Sequence, residues 1–269
     1  MKLLIPLLAF LPLAVVCLPF VDFINPDIFS RTIHQKNPVF SGEVGQVLKD
    51  NTPGCNWGTF QLCLADFITK SGLSAYDTSN ATMMKMAVNQ LLADGAKSGP
   101  TGAANSLIQL CRAQQVLYSQ CLGLDQATQC ISAIEFIRQG NTSNDGFGYQ
   151  MLFTRLNFQC GVAFTSFIAH PMEVAQTPTN YSVRLDSCLD TFIGGNLNND
   201  TVTEFCGPME QYGECVGKIY TEAAQCSVDL GWSVCEATRL ANIITLPECT
   251  DSQWACKLGT VGYNFYFLL

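Results

Sequence analysis

The chain has 269 residues, of which 48% are apolar and only 13% charged; 14 basic and 22 acidic residues give a formal charge of −8. That balance argues against free nucleic acid as a partner, because phosphate backbones are bound through clustered positive charge. Two histidines in the whole chain leave few of the groups that most often act as catalytic bases or metal ligands.

Residues 1–17 read as a secretory signal peptide. Lys2 precedes an apolar run from Leu3 to Phe20, and Pro6, Pro12 and Pro19 break it up too often for a spanning helix of about 20 residues. Cleavage is expected after Cys17, with Val15 and Cys17 at the recognition positions. The mature chain would then carry 13 basic and 22 acidic residues, net −9. No later segment reaches spanning length, and the apolar tail Tyr263 to Leu269 is too short for the signal of a lipid anchor. A secreted, extracellular protein is expected.

Residues 18–54, with Pro26, Pro38, Pro53, Gly42, Gly45 and Gly54, form an irregular N-terminal segment without periodicity. From Cys55 onward the pattern is helical. Residues 81–94 place Met84, Ala87, Val88, Leu91 and Leu92 on one stripe, with Ser79 or Asn80 as the cap and Gly95 as the stop. Residues 103–122 and 125–138 repeat the arrangement, and 147–169 form a longer apolar stretch broken at His170-Pro171. Strands with period two and tight hairpin turns are missing from the pattern. The fold class is therefore mostly α, a disulfide-stapled helical bundle.

The stretch His170 to Thr179 interrupts this pattern and divides a first cysteine-rich helical half, residues 55–172, from a second, residues 180–260; one domain made of both halves is the alternative. Residues 173–251 hold 12 acidic and 3 basic residues, whereas 18–172 hold 10 and 9. A solvated face explains this surplus most simply, and no segment has the acidic spacing of a Ca²⁺ loop. The halves share a short signature, Cys63-Leu-Ala-Asp-Phe-Ile68 against Cys188-Leu-Asp-Thr-Phe-Ile193. Each is followed by a cysteine pair, Cys111 and Cys121 or Cys206 and Cys215, with Tyr118 or Tyr212 three residues before its second member. Duplicated helical halves would account for this.

The mature chain keeps Cys55, Cys63, Cys111, Cys121, Cys130, Cys160, Cys188, Cys206, Cys215, Cys226, Cys235, Cys249 and Cys256. In an oxidising compartment they should be bridged. Cysteines eight to eleven positions apart on one straight helix are about 12 to 16 Å apart, beyond the roughly 7 Å limit for bonded Cα atoms. Each should therefore staple its helix to another; a helix starting at Gly207-Pro208, after Cys206, would be the exception. An odd count leaves one thiol free or one link to another chain, so a disulfide-linked dimer is among the expectations. No two cysteines have the spacing of a structural zinc site, the nearest pair being Cys249 and Cys256, so no metal and no cofactor are expected.

The order Cys-x7-Cys-Leu-x-x-Phe-Ile, then Leu-Cys with an aromatic before the next cysteine, then Phe158-Gln-Cys160, resembles nematode secreted cysteine-rich domains: the chondroitin-proteoglycan-type domain and related domains of unknown function. The resemblance spans residues 55–256. It implies an extracellular, disulfide-stapled, largely helical domain with no catalytic residues to carry over. In proteoglycan members sugar chains attach at Ser-Gly sites among acids, represented here by Ser41, with Ser71 and Ser98 as weaker matches.

Catalysis has little to stand on. His34 and His170 lie in no hydrolase signature, Gly72-Leu-Ser74-Ala-Tyr76 lacks the second glycine of a nucleophile elbow, and Gly140 to Gly148 lacks the lysine of a phosphate loop. Glu204, Glu210 and Glu214 have the spacing of an exposed helical face. The chain is read as non-enzymatic, a secreted hydrolase being the weakest alternative. Asn80, Asn141, Asn180 and Asn199 are N-glycosylation acceptors in polar, turn-like surroundings. Two function classes remain: a non-catalytic extracellular protein that binds or assembles with an extracellular protein or glycan, in the matrix for instance, and a carrier of an apolar small molecule. Phe147, Met151, Phe153, Phe158, Phe164 and Phe167 could line a carrier's cavity; dense packing of these side chains would make them ordinary core.

Overall fold

The computed structural model describes residues 54–196, 202–225, 227–246, 249, 256 and 257. The signal peptide, nearly all of the irregular N-terminal segment, His34, Ser41, Asn199, Cys17 and Cys226 lie outside these residues. Among the described residues there are eleven α-helices and no strand, so the chain is a disulfide-stapled helical bundle.

Local chemistry sets the helix starts. Helix α1 (Trp57–Ser71) begins where the Asn56 side chain accepts from the Thr59 N–H at 3.2 Å, and it ends at Gly72, whose φ of 85° is the left-handed cap that glycine adopts without strain. Helix α2 (Ala81–Ala96) starts at Asn80, which accepts from the Met83 N–H at 2.9 Å. Helix α3 (Gly99–Val116) runs into a π turn over Leu117–Cys121. The expected single helix over 125–138 is two, α4 (Leu124–Cys130) and α5 (Ala133–Arg138). Ser132 breaks it, because its hydroxyl accepts from the Glu135 N–H at 3.3 Å and so starts a new helix.

Helix α6 (Ser143–Cys160) is capped by Thr142, and Gly161 ends it ahead of the short α7 (Phe164–Ala169). The stretch expected to be a connector is helix α8 (Pro171–Asn180). Pro171 stands at its first position, where the missing N–H has no partner to lose, while Pro178 sits inside and removes the bond that would fall on the Val174 carbonyl. Helices α9 (Ser182–Asn196), α10 (Cys206–Ala223) and α11 (Val228–Asn242) complete the order.

Six bridges join the twelve described cysteines: Cys55–Cys130, Cys63–Cys121, Cys111–Cys160, Cys188–Cys215, Cys206–Cys249 and Cys235–Cys256. Each ties different segments together, as the helical rise requires. Cys206 and Cys215 share α10 and bond elsewhere, so the exception expected at Gly207-Pro208 does not occur. Three bridges close within residues 55–160 and three within 188–256; no described bridge joins the two sets.

Aromatic rings fill the first half. Phe60 and Trp57 meet Phe136 edge-on at 5.6 and 5.4 Å, and Tyr149 stacks on Phe136 at 4.6 Å. Burial and the Asp145 carboxylate push the Tyr149 hydroxyl up to about 12. In the second half Arg184 of α9 pairs with Glu222 of α10 at 2.7 Å, both largely buried, so losing either would leave an uncompensated charge. The buried residues form one continuous cluster from Phe60 to Cys249. Helix α11 packs on α10 and α6, and α8 packs on α2, α3 and α10, which seats the second half on the first.

Gly95 was expected to stop α2, but the helix passes through it. A Cβ there would lie 2.9 Å from the Gly102 carbonyl oxygen and 2.8 Å from the Ser106 Cβ, so Gly95 lets α2 and α3 approach at their crossing. Helical Gly→Ala substitutions normally stabilise by up to about 1 kcal/mol. Here the sign should reverse: Gly95→Ala is expected to lower stability by about 1–3 kcal/mol through overpacking, read as a lower urea midpoint at an unchanged m-value.

Candidate functional site

Where the two halves meet there is a partly open cavity of about 100 Å³. Helix α2 contributes Ala81, Lys85, Val88, Asn89 and Leu92, and α6 contributes Gly148, Met151, Leu152, Arg155, Leu156 and Gln159. Phe167 of α7 and Val174 and Pro178 of α8 close one side; Tyr212, Val216 and Tyr220 of α10 and Thr238, Ala241 and Asn242 of α11 supply the wall from the second half. The α6 residues recur every three or four positions, one face of a helix. Gly148 belongs to that face because a Cβ would lie 2.8 Å from the Ala81 Cβ.

The interior is apolar. Val88, Leu92, Leu152, Leu156, Phe167, Val174 and Val216 are buried, while Lys85, Asn89, Arg155 and Gln159 are half-buried and belong to the rim. The charged lining residues are both cationic, in a chain that is acidic as a whole. No acid, histidine or cysteine is among the residues that line the cavity.

Polar side chains also stand in the buried wall: Tyr212, Tyr220, Thr238 and Asn242, the last at 3% exposure. Asn242 is held by its own helix. Its Nδ2 donates to the Thr238 carbonyl oxygen at 2.7 Å, and its own carbonyl accepts from the Thr245 N–H and hydroxyl at 3.0 and 2.8 Å, which pins it at the last turn of α11. The amide cannot be flipped without setting two oxygens against each other. Its Oδ1 is fully enclosed and has no hydrogen-bond partner in the protein.

The expected cavity set is only partly gathered here. Met151 and Phe167 line the cavity; Phe153 packs on Phe67 in the first-half core at 5.7 Å, Phe158 and Phe164 pack against that core, and Phe147 is half-buried on another face of α6. The remaining candidates lie apart. His170 caps α8. Glu204 is exposed, but Glu210 is not the solvated residue its spacing suggested: it is largely buried and pairs with Lys257 at 2.5 Å, and Glu214 accepts from the Lys257 N–H at 3.3 Å. The hydrogen bond and charge of Glu210 hold the Lys257 ammonium above its ordinary pKa. Ser71, one of the Ser-Gly matches, is fully buried and its hydroxyl donates to the Ile68 carbonyl, so it is no place for a sugar chain. Of the glycan acceptors, Asn80 caps α2 through Oδ1, Asn141 donates through Nδ2 to the Phe136 carbonyl at 3.0 Å, and Asn180 is exposed at the end of α8.

A wider groove of about 410 Å³ beside α3, lined by Lys70, Asn105, Ile108, Gln109, Arg112, Ala113 and Val116, is more open and mostly walled by exposed residues. Among the described residues no helix is long and apolar enough to cross a membrane. The chain matches no protein-family model, no curated protein and no solved structure.

A buried acceptor without a donor destabilises a fold by about 1–3 kcal/mol. Asn242→Leu, which removes that acceptor and adds apolar surface, is therefore expected to leave the ligand-free protein as stable as the parent or about 1 kcal/mol more stable. A chemical denaturation series on both proteins checks it; a loss above 1 kcal/mol would mean the amide is held by contacts that Leu cannot replace.

Proposed function

We propose that the chain is a secreted, non-catalytic binding protein whose two stapled halves close on a small apolar molecule. The observation that carries this reading is the cavity itself. Residues of both halves build it at a seam that no described bridge crosses, and its walls are apolar with a polar rim, as in ligand sites generally. At about 100 Å³ it is larger than a few waters need and smaller than the roughly 150 Å³ apolar cavity that takes up benzene.

Other features favour the extracellular setting. Six bridges suit an oxidising compartment, and they accord with the signal-peptide reading of residues 1–17 and the resemblance to nematode secreted domains. The acceptors Asn80, Asn141 and Asn180 remain chemically able to carry a glycan, since capping uses Oδ1 at Asn80 and a glycosylated Nδ2 still has one hydrogen to donate at Asn141. Assembly on an extracellular protein, a glycan or a second copy of the chain is the competing reading, and it would leave the cavity without a role.

Native mass spectrometry of the protein from a eukaryotic secretion host, after N-glycan removal, tests the proposal. A bound small molecule, seen as mass lost on denaturation, is expected; a bare chain with nothing taken up from added apolar compounds would overturn the carrier reading. The deglycosylation step should itself shift the mass by at least two glycans among Asn80, Asn141, Asn180 and Asn199, and no shift would count against secretion through a glycosylating pathway.

A further inference from the structure

The cavity rim gathers N–H donors from two helices. On α2, Lys85 and Asn89 stand four positions apart, and on α6 so do Arg155 and Gln159, so each helix presents a cation and an amide one turn apart on the face that lines the cavity. All four side chains are half-buried. Beside them on the same two helices Val88, Leu92, Leu152 and Leu156 form buried apolar wall. Lys85 and Arg155 are the charged lining residues, and no Asp or Glu is among the others. The lining is therefore cationic in a chain whose formal charge is −8.

We propose that the cavity takes a small apolar monocarboxylate, its hydrocarbon body in the apolar interior and its carboxylate between Lys85 and Arg155 at the rim. This rests on reading the cavity as a ligand site. An ionised carboxylate is acceptor-only, which suits a rim of ammonium, guanidinium and amide N–H groups. The Arg155 guanidinium can meet both carboxylate oxygens with parallel N–H bonds, a geometry that a point charge cannot supply. Lys85 and Arg155 already interact elsewhere in the protein, but each has several N–H donors, so a carboxylate can join them without displacing those contacts. Because the rim is half-buried, the carboxylate keeps water on its outer side and avoids most of the cost of burying a charge, while its attraction to the cations is screened less than on an open surface. An alcohol with the same chain would gain the apolar burial without the charge-assisted bonds, and an amine would meet like charge.

Hexanoate, hexanol and hexylamine share one chain and differ in the charge of the head. Each is titrated into the glycan-free protein and followed by calorimetry and by methyl NMR shifts of Val88, Leu156 and Val216. Hexanoate is expected to bind about tenfold more tightly than hexanol, with hexylamine the weakest. Added salt should narrow the hexanoate advantage and leave hexanol binding unchanged. Lys85→Gln and Arg155→Gln are each expected to remove most of that advantage, again without weakening hexanol. Equal affinity of the parent protein for hexanoate and hexanol, with cavity shifts, overturns the carboxylate assignment while leaving the ligand site standing. A hexanoate advantage that survives both substitutions overturns the role of the two cations. If no probe shifts the cavity methyls, the carrier reading falls and this inference with it. The three probes on the unaltered protein decide the first point whether or not the variants fold.

Discussion

Every described disulfide closes within one half of the chain. Residues 55–160 hold three bridges and residues 188–256 hold three, with loops of 21 to 75 residues. In the chain-entropy model such loops contribute about 3 to 4.5 kcal/mol each, less in sum because they overlap. Each half is thus stiffened separately, and what joins them is side-chain packing of α6 on α11 and of α8 on both halves. A packed seam can open by a small amount at modest cost, while a bridge across it would have to stretch or break. The cavity lies at that seam, the part of the fold that no described bridge holds together.

The two halves also share a connectivity that their short signatures only hint at. Cys63 bonds to Cys121 and Cys188 to Cys215, in each case the signature cysteine with the second member of the following pair. The first members, Cys111 and Cys206, bond onward to Cys160 and Cys249 over 49 and 43 residues. The third bridges do not correspond: Cys55–Cys130 ties the start of α1 to the end of α4, and Cys235–Cys256 ties α11 to the segment after it. The common pair of bridges fixes a signature helix against its partner in both halves, and the differences fall where the halves have different neighbours to hold.

Much of the fold could be read from local chemistry. The 3.6-residue stripe of α2, its Asn80 cap and the rule that cysteines on one helix cannot bond to each other depend only on nearby residues and helix geometry. Sequence and structure part where a distant contact outweighs a local preference. Gly95 reads as a stop, yet it serves the α2–α3 crossing. The prolines at 171 and 178 read as breakers, yet packing against α2, α3 and α10 keeps α8 helical. Ser132 and Glu135 have the spacing of a capping box, of which the Ser132 half forms, while the apolar periodicity runs on through it. The cavity was the least legible feature: its α6 stripe of Met151, Leu152, Arg155, Leu156 and Gln159 is visible in the sequence, but nothing local says that α10 and α11 face it, and Asn242 resembles any polar residue at a helix end.

Xenon is an apolar atom without hydrogen-bonding groups, so it reports space and polarity independently of any assumed ligand. A crystal of the glycan-free protein under xenon pressure is the most direct measurement of whether the seam holds an apolar binding cavity. A xenon peak between Val88, Leu156, Phe167 and Val216, with the bridged halves undisturbed, is the expected result. Side chains closed over that position with no xenon density would contradict it.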